Sequence, residues 1–306
     1  MELLNKKVIV TGGCGFIGSN LVDRLVKEGH GVNVIDNESS DAHDQFFYND
    51  VARYHKVDIS DYDSIKHIFQ NAHCVFHLAA ESRIMNTIEN PTLAVQTNVL
   101  GTANVLQAAK ENNVKRVVYS STSAAYGLKN EIPNTETMTT DCLNPYSVSK
   151  CAGEDLCSLY TEMYDLETVT FRYFNVYGNR QPSKGPYAPV MGIFKRQFDS
   201  RQDITIVGDG MQKRDYVNVD DVVDANIKAA FSTDPRVINQ IFNIGSEKNY
   251  SVLDLADMIT QGENEYKHLP ARPGEARETL ADCTKAKELL GWSAKVNLKE
   301  WLETNR

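Results

Sequence analysis

Tyr146 and Lys150 stand one helical turn apart in Asn144-Pro145-Tyr146-Ser147-Val148-Ser149-Lys150, which would place a phenol and an ammonium on one face of a helix. The segment reads as a helix start. Asn144 suits an N-cap, Pro145 suits the first helical position, and Ala152, Leu156, Leu159 and Met163 form an apolar stripe at helical period. A phenol ionises near pH ~10, and a neighbouring ammonium favours the phenolate, so the pair has the makings of a general base toward a hydroxyl. Taken alone, Tyr-x-x-x-Lys is a weak pattern whose ordinary reading is a surface helix. Upstream, Ser120-Ser121-Thr122-Ser123-Ala124-Ala125-Tyr126-Gly127 ends an apolar run in a cluster of hydroxyls. Such runs commonly cap turns. Coupled to Tyr146 and Lys150, Thr122 becomes a group to hydrogen-bond the hydroxyl whose proton moves.

These groups need elements that bring a reactant to them, and the N-terminal half supplies candidates. Val8-Ile9-Val10 runs into Thr11-Gly12-Gly13-Cys14-Gly15-Phe16-Ile17-Gly18, then into a helix with Ile17, Leu21 and Leu25 on one face and Gly29 closing it. Gly12, Gly15 and Gly18 permit a tight turn, close approach to a pyrophosphate, and close helix-to-sheet packing. The next strand, Val32 to Ile35, ends at Asp36, whose carboxylate can accept both ribose hydroxyls of an adenosine. It would repel a 2′-phosphate, which favours NAD over NADP.

The alternation continues with strand Tyr54 to Val57, a helix capped by Ser60, strand Cys74 to Leu78, a long helix Thr92 to Asn113, and strand Val117 to Ser120. An α/β, Rossmann-like, doubly wound parallel sheet is predicted. Asp58, ending the third strand, could meet an adenine amino group. His77 reads as a hydrogen-bonded structural histidine, followed by Leu78-Ala79-Ala80, small enough to let a cofactor pass.

Composition narrows the classes. With 42% hydrophobic and 24% charged residues the chain is globular, and no apolar run approaches the ~20 residues of a membrane helix. Met1-Glu2-Leu3-Leu4-Asn5 shows no signal-peptide pattern, so a cytoplasmic protein with no membrane association is expected. A formal charge of -9 argues against a nucleic-acid partner, so an anionic ligand must be held by local arginines. Six cysteines lack C-x-x-C or zinc-like spacing with the histidines; they read as reduced packing residues, with no metal site expected.

The residues quoted so far, with Arg172-Tyr173-Phe174-Asn175-Val176-Tyr177-Gly178, resemble the extended short-chain dehydrogenase/reductases, and within them the NAD-dependent UDP-sugar 4-epimerases. The resemblance runs from about Lys7 to the C-terminus. It implies Thr122, Tyr146 and Lys150 as the catalytic set. For NAD it implies, beside Gly12, Gly15 and Gly18, the residues Phe16, Ile17, Asp36, Asn37, Asp58, Ile59, Leu78, Ala79, Ala80, Asn98, Ser120, Tyr146, Lys150 and Phe174. Arg214 and Arg272 would hold a nucleotide diphosphate. Ser82, Thr122, Ser123, Tyr146, Asn175, Tyr187, Val190 and Thr279 would line the sugar-nucleotide site. Thr279 takes the place of a bulky tyrosine that in some resembling enzymes screens the sugar's 2-substituent, so room for an N-acetyl group is expected.

Composition changes at Gln181-Pro182-Ser183-Lys184-Gly185-Pro186-Tyr187, and the domain border is placed there. Residues 1–178, with 216–244 returning, are expected to bind NAD; residues 179–215 and 245–306 are expected to bind the nucleotide sugar. The later elements read as helix Pro189 to Ser200, strand Ile204 to Val207, helix Asp220 to Ala230, strand Ile241 to Ile244, and a helix capped by Ser251. The expected activity is inversion of carbon 4 of UDP-glucose/galactose or their N-acetylamino counterparts, through a 4-keto sugar, by a homodimer. A 4,6-dehydratase is the rival, because Ala79-Ala80-Glu81-Ser82 resembles those enzymes. They follow the hydroxyl residue with Asp-Glu, however, where this chain has Ser123-Ala124. UDP-glucuronate as substrate and a non-catalytic NAD-sensing module are the remaining alternatives.

Overall fold

The computed structural model describes residues 5–40, 45–183, 188–262, 265–270 and 277–305. Strands β1 (Lys7–Thr11), β2 (Gly31–Asp36), β3 (Arg53–Lys56), β4 (Cys74–His77), β5 (Arg116–Thr122) and β6 (Glu167–Tyr173) alternate with helical segments. After them come β7 (Asn175–Tyr177), β8 (Ile204–Val207), β9 (Lys213–Asn218), β10 (Gln240–Ile244), β11 (Asn249–Ser251) and β12 (Tyr266–Leu269). Among the described residues, one seven-stranded sheet has the order β10-β6-β5-β4-β1-β2-β3, and every pairing in it is parallel.

Helices cover both faces, which is why the strands are apolar throughout rather than alternating. Val8 and Val10 face a core shared with Leu21, Leu25, Val222 and Ala229, while Ile9 between them faces a second core with Val75, Val105, Leu106 and Cys157. Val8, Ile9 and Val10 are all 0% exposed, each contributing about 1.5–3 kcal/mol of burial. Strand order reverses between β1 and β4, and the glycine turn follows β1, so the crevice lies at this topological switch point. A third core, around Tyr177, Phe194, Ile204, Ile206 and Leu255, holds the smaller sheets β11-β9-β7 and β12-β8.

Several expectations change. The helix expected from Thr92 to Asn113 is built of Pro91–Ala94, a π-helical stretch Val95–Leu100, and Gly101–Glu111. Asp61 rather than Ser60 caps the helix after β3, accepting from Ser64 N. The apolar stripe of helix Pro145–Tyr164 faces the core only in part: Leu156 packs on the second core, but Leu159 is 43% and Met163 62% exposed. Its buried face is Ser149, Lys150, Gly153, Glu154 and Cys157. Gly153 permits this, since a Cβ there would sit 2.1 Å from the Tyr119 hydroxyl. No described helix is long and apolar enough to cross a membrane.

Candidate active site

Parallel register brings the carboxyl ends of the strands to one edge: Thr11 lies opposite Ile35 and His77, and Thr122 opposite Tyr173. There Gly12 takes φ 70°, and a Cβ on it would lie 2.8 Å from Ala79 N. A Cβ on Gly18 would lie 2.1 Å from Gly12 O, so turn and helix touch backbone to backbone. Gly15 caps helix Phe16–Lys27 without a side-chain hydrogen bond, as an anion-binding turn requires. Asp36 accepts from Cys14 N (2.9 Å) and Glu38 N (2.8 Å), which fixes its carboxylate beside the turn. Asn37 donates to Asp58 (2.7 Å), linking the ends of β2 and β3. Burial would raise the Asp58 carboxyl, but donors on Ser60 and Asn37 outweigh it and hold it below its usual range. Ile59 is buried against Gly101.

Leu78 and Ala79 are held by Thr11, whose Oγ1 accepts from both backbone N–H groups at 3.1 Å. The same hydroxyl meets His77 Nδ1 at 2.7 Å, and His77 Nε2 meets Thr102 Oγ1 at 2.9 Å. Thr102 donates to Asn98 O, so the network assigns the proton to Nε2 and leaves the imidazole neutral. Burial, with Lys150 nearby, lowers His77 to about 3. It is the structural histidine expected. Asn98, on the π-helical stretch, is 1% exposed and spends its amide on Glu81 N, Glu81 O and Ser149 Oγ. It therefore shapes the 78–82 turn rather than presenting an open amide. The Glu81 carboxylate turns back onto Arg83 N (3.1 Å), and Ser82 is exposed at the rim.

Helix Pro145–Tyr164 starts in a reciprocal capping box between Asn144 and Ser147 and packs across β5 and β6. This brings Tyr146 beside Thr122, whose hydroxyl favours the ionised phenol. Thr122 Oγ1 also accepts from Ala124 N at 3.1 Å, which sets its rotamer in the turn Ser123–Tyr126. The Lys150 ammonium rests 4.3 Å above the centre of the Tyr119 ring. Burial lowers it to about 8, Cys157 and Glu154 offsetting part of the effect. Burial raises the Tyr146 phenol above its ordinary value while Thr122 opposes the rise. The lowering by Lys150 expected from spacing is thus not produced by the protein groups alone. Ser120 is engaged with the Tyr173 hydroxyl (3.1 Å), and Phe174 is 4% exposed, stacked near Tyr126.

On the smaller sheet β11-β9-β7, Arg214 lies half-buried on β9, with Nη1 on Lys213 O at 2.9 Å. Thr279 lies against the same strand: its N–H donates to Lys213 O (3.1 Å) and its Oγ1 accepts from Asp215 N (3.3 Å). Asn175 donates to Asp215 O at 3.0 Å. Val190 opens helix Val190–Asp199, packed on the third core. Tyr187 and Arg272 lie outside the described residues.

Two groups escaped sequence reasoning. Asp215, 0% exposed, accepts from Ser246 N (2.7 Å), Ser246 Oγ (2.9 Å), Glu247 N (3.1 Å) and Ala281 N (3.0 Å), tying the strand of Arg214 to the segment of Thr279. Glu154 and Arg172 form a buried, two-bond ion pair (2.7 and 3.0 Å), with Ser121 donating to Glu154 at 2.5 Å. The signal was a glutamate one turn beyond Lys150, and an arginine in an otherwise apolar strand, both of which must be paired if buried.

Known proteins share this fold over nearly the whole chain. A family model described as GDP-mannose 4,6 dehydratase matches residues 9–304. A putative UDP-glucose 4-epimerase of Methanocaldococcus jannaschii is 37% identical over 312 residues, covering 97% of this chain and 99% of that protein. The crystal structure of UDP-glucose 4-epimerase from Thermotoga maritima with UDP-glucose superposes with a TM-score of 0.91 at 36% identity, covering 97% and 96% of the two chains. UDP-N-acetylglucosamine 4-epimerase from Methanobrevibacter ruminantium, in complex with UDP-N-acetylmuramic acid, gives 0.91 at 32% identity, covering 98% and 96%.

Proposed function

We propose that this chain, which belongs to the NAD-dependent epimerase/dehydratase family, inverts carbon 4 of a UDP-hexose or UDP-N-acetylhexosamine. The observation that carries the reading is that Thr122 lies beside Tyr146, with Lys150 one turn on along the same helix, at the sheet edge that also bears the glycine turn and Asp36. The turn fits NAD: the backbone approach at Gly12, the uncapped helix start at Gly15 and the oriented Asp36 carboxylate match a pyrophosphate and an adenosine ribose. When bound, NAD supplies a two-electron acceptor for the carbon-4 hydrogen and a positive ring beside the phenol.

The chain's own residues do the rest. Tyr146 takes the proton of the 4-hydroxyl and later returns it, with Thr122 in the hydrogen-bond path. Lys150 binds the nicotinamide ribose. Arg214 and Arg272 grip the diphosphate while the sugar is held loosely, so the 4-keto sugar can turn over and be reduced on its other face. Thr279 leaves space for a 2-acetamido group. Elimination, the dehydratase route, needs an acid beside Thr122; Ser123 and Ala124 stand there, and the Glu81 carboxylate is engaged with Arg83 N.

On this reading residues 1–178 and 216–244 carry NAD, and residues 179–215 and 245–306 carry the nucleotide sugar, in the cytoplasm where both ligands are found. A second copy would cover the exposed Val95, Leu100, Val148, Leu159 and Met163 of helices 91–111 and 145–164. Sedimentation as a monomer at micromolar concentration would remove the dimer. The test of the activity is incubation of purified protein with a panel of UDP-sugars, read by NMR and nicotinamide absorbance. Interconversion of the glucose/galactose or N-acetylamino pair, with no lasting accumulation of reduced cofactor, is expected. A 6-deoxy-4-keto product, or no conversion of either pair, overturns the reading.

A further inference from the structure

The cysteines do not all pack alike. Cys14, Cys74, Cys157 and Cys283 are buried, but Cys142 and Cys151 are half-buried and their sulfurs lie 3.4 Å apart. Cys142 precedes the Asn144 cap and Cys151 follows Lys150, so the pair brackets the turn of helix that carries Tyr146 and Lys150. A cavity of 250 Å³ lined by Thr140, Cys151, Glu154, Asp155 and Ser158 gives small molecules a way to the Cys151 side of the pair.

We infer that Cys142 and Cys151 are a redox modification site, which a small disulfide such as oxidised glutathione closes into an intramolecular disulfide that slows the chemistry at Tyr146. The Cys142 thiolate attacks one sulfur of the small disulfide, forming a mixed disulfide and releasing one thiolate. Cys151 then gives up its proton and attacks the Cys142 sulfur, forming the internal bond and releasing the second thiolate. The protein loses two protons and two electrons, and one small disulfide becomes two thiols. Burial, with Glu154 nearby, pushes the Cys151 thiol up, which slows its ionisation, while the 3.4 Å separation of the sulfurs favours the second step by proximity. A disulfide is ~2.05 Å long, so the two sulfurs must close by roughly 1.3 Å from their 3.4 Å separation. Cys142 sits in a segment without regular structure and Cys151 on the capped helix, and the shift is shared across the Asn144–Lys150 turn. Displacements of ~1 Å at a reacting group cost up to ~100-fold in rate.

The experiment treats the protein as purified with excess oxidised glutathione, then with dithiothreitol, following intact mass, peptide map and turnover. Expected are loss of two hydrogens, a linked Cys142–Cys151 peptide, protection of both thiols from iodoacetamide, and a fall in kcat of at least tenfold that dithiothreitol reverses. Cys142→Ser should keep the basal rate and lose the response. A persistent glutathione adduct, unchanged mass, a linked peptide with unchanged kcat, or an equal fall in Cys142→Ser would each overturn the inference. The kcat arm rests on the epimerase reading; the mass and labelling arms do not, so failure of one is told from failure of the other.

Discussion

Lys150→Met should make the protein more stable and inactive. Lys150 is 3% exposed, and burial takes its ammonium from 10.5 to about 8. A downward shift of this size, at ~1.36 kcal/mol per unit, means that holding the charge inside costs about 3 kcal/mol. The Tyr119 face at 4.3 Å returns up to ~2 kcal/mol of cation–π attraction that methionine forfeits, leaving a net gain of about 1–3 kcal/mol. The sign with pH follows from proton binding. Below about 8 folded and unfolded chains both hold the proton, and the penalty is complete. Between about 8 and 10.5 only the unfolded chain holds it, so the parent gains stability as pH rises and the penalty fades. Urea unfolding of both proteins, with NAD removed, at pH 7 and at intervals to pH 10 reads the difference. The variant should lead most at pH 7 and lose its lead above pH 8. A variant less stable than the parent at pH 7, or a gap that does not narrow, refutes the account of Lys150 as a strained buried charge.

Tyr146→Phe removes the only proton carrier on that ring, and kcat should fall ~10²–10⁴-fold while NAD released on denaturation still reports bound cofactor; near-normal turnover would end the acid–base assignment. Thr279→Tyr should lower kcat/KM for UDP-N-acetylglucosamine at least ~10-fold relative to UDP-glucose, a cost of ~1.4 kcal/mol, and an unchanged ratio would remove the size argument. Asp215→Asn keeps the shape but turns an amide N–H₂ toward N–H donors that the carboxylate now accepts at 2.7–3.1 Å. About 2–4 kcal/mol of stability should be lost in denaturant melts, with KM for the UDP-sugar rising more than kcat falls; a loss below 1 kcal/mol would show that Asp215 is no anchor.

Legibility in the sequence followed the kind of physics involved. β1 and the glycine turn could be read because a buried parallel strand must be continuously apolar and a backbone-to-backbone turn must be glycine, as Val8-Ile9-Val10 and Gly12 show. The Ser251–Asp254 and Asn144–Ser147 caps could be read because their partners lie three residues away. The orientation of helix Pro145–Tyr164 could not. Apolar periodicity picked out Leu159 and Met163, yet the inward face carries Lys150 and Glu154, whose partners are Tyr119 on β5 and Arg172 on β6. Asp215 was likewise invisible, since its four donors arrive from residues 246, 247 and 281.

The inversion of that helix is itself an argument about function. Placing Ser149, Lys150 and Glu154 inward and Leu159 and Met163 outward costs burial energy twice, once for desolvated charge and once for apolar surface left in water. Glu154 recovers its share through Arg172 and Ser121, and Ser149 through Asn98. Lys150 recovers least, since an aromatic face replaces a carboxylate and its ammonium is pulled down to about 8. A fold that required only stability would turn the helix over or place methionine at Lys150. The cost becomes intelligible when ribose hydroxyls and a reacting phenol complete the Lys150 surroundings, and when a second copy of the chain covers the outward stripe. Both halves are then explained by binding, which predicts that NAD raises the melting temperature of the parent more than that of Lys150→Met, while dimer formation raises both alike.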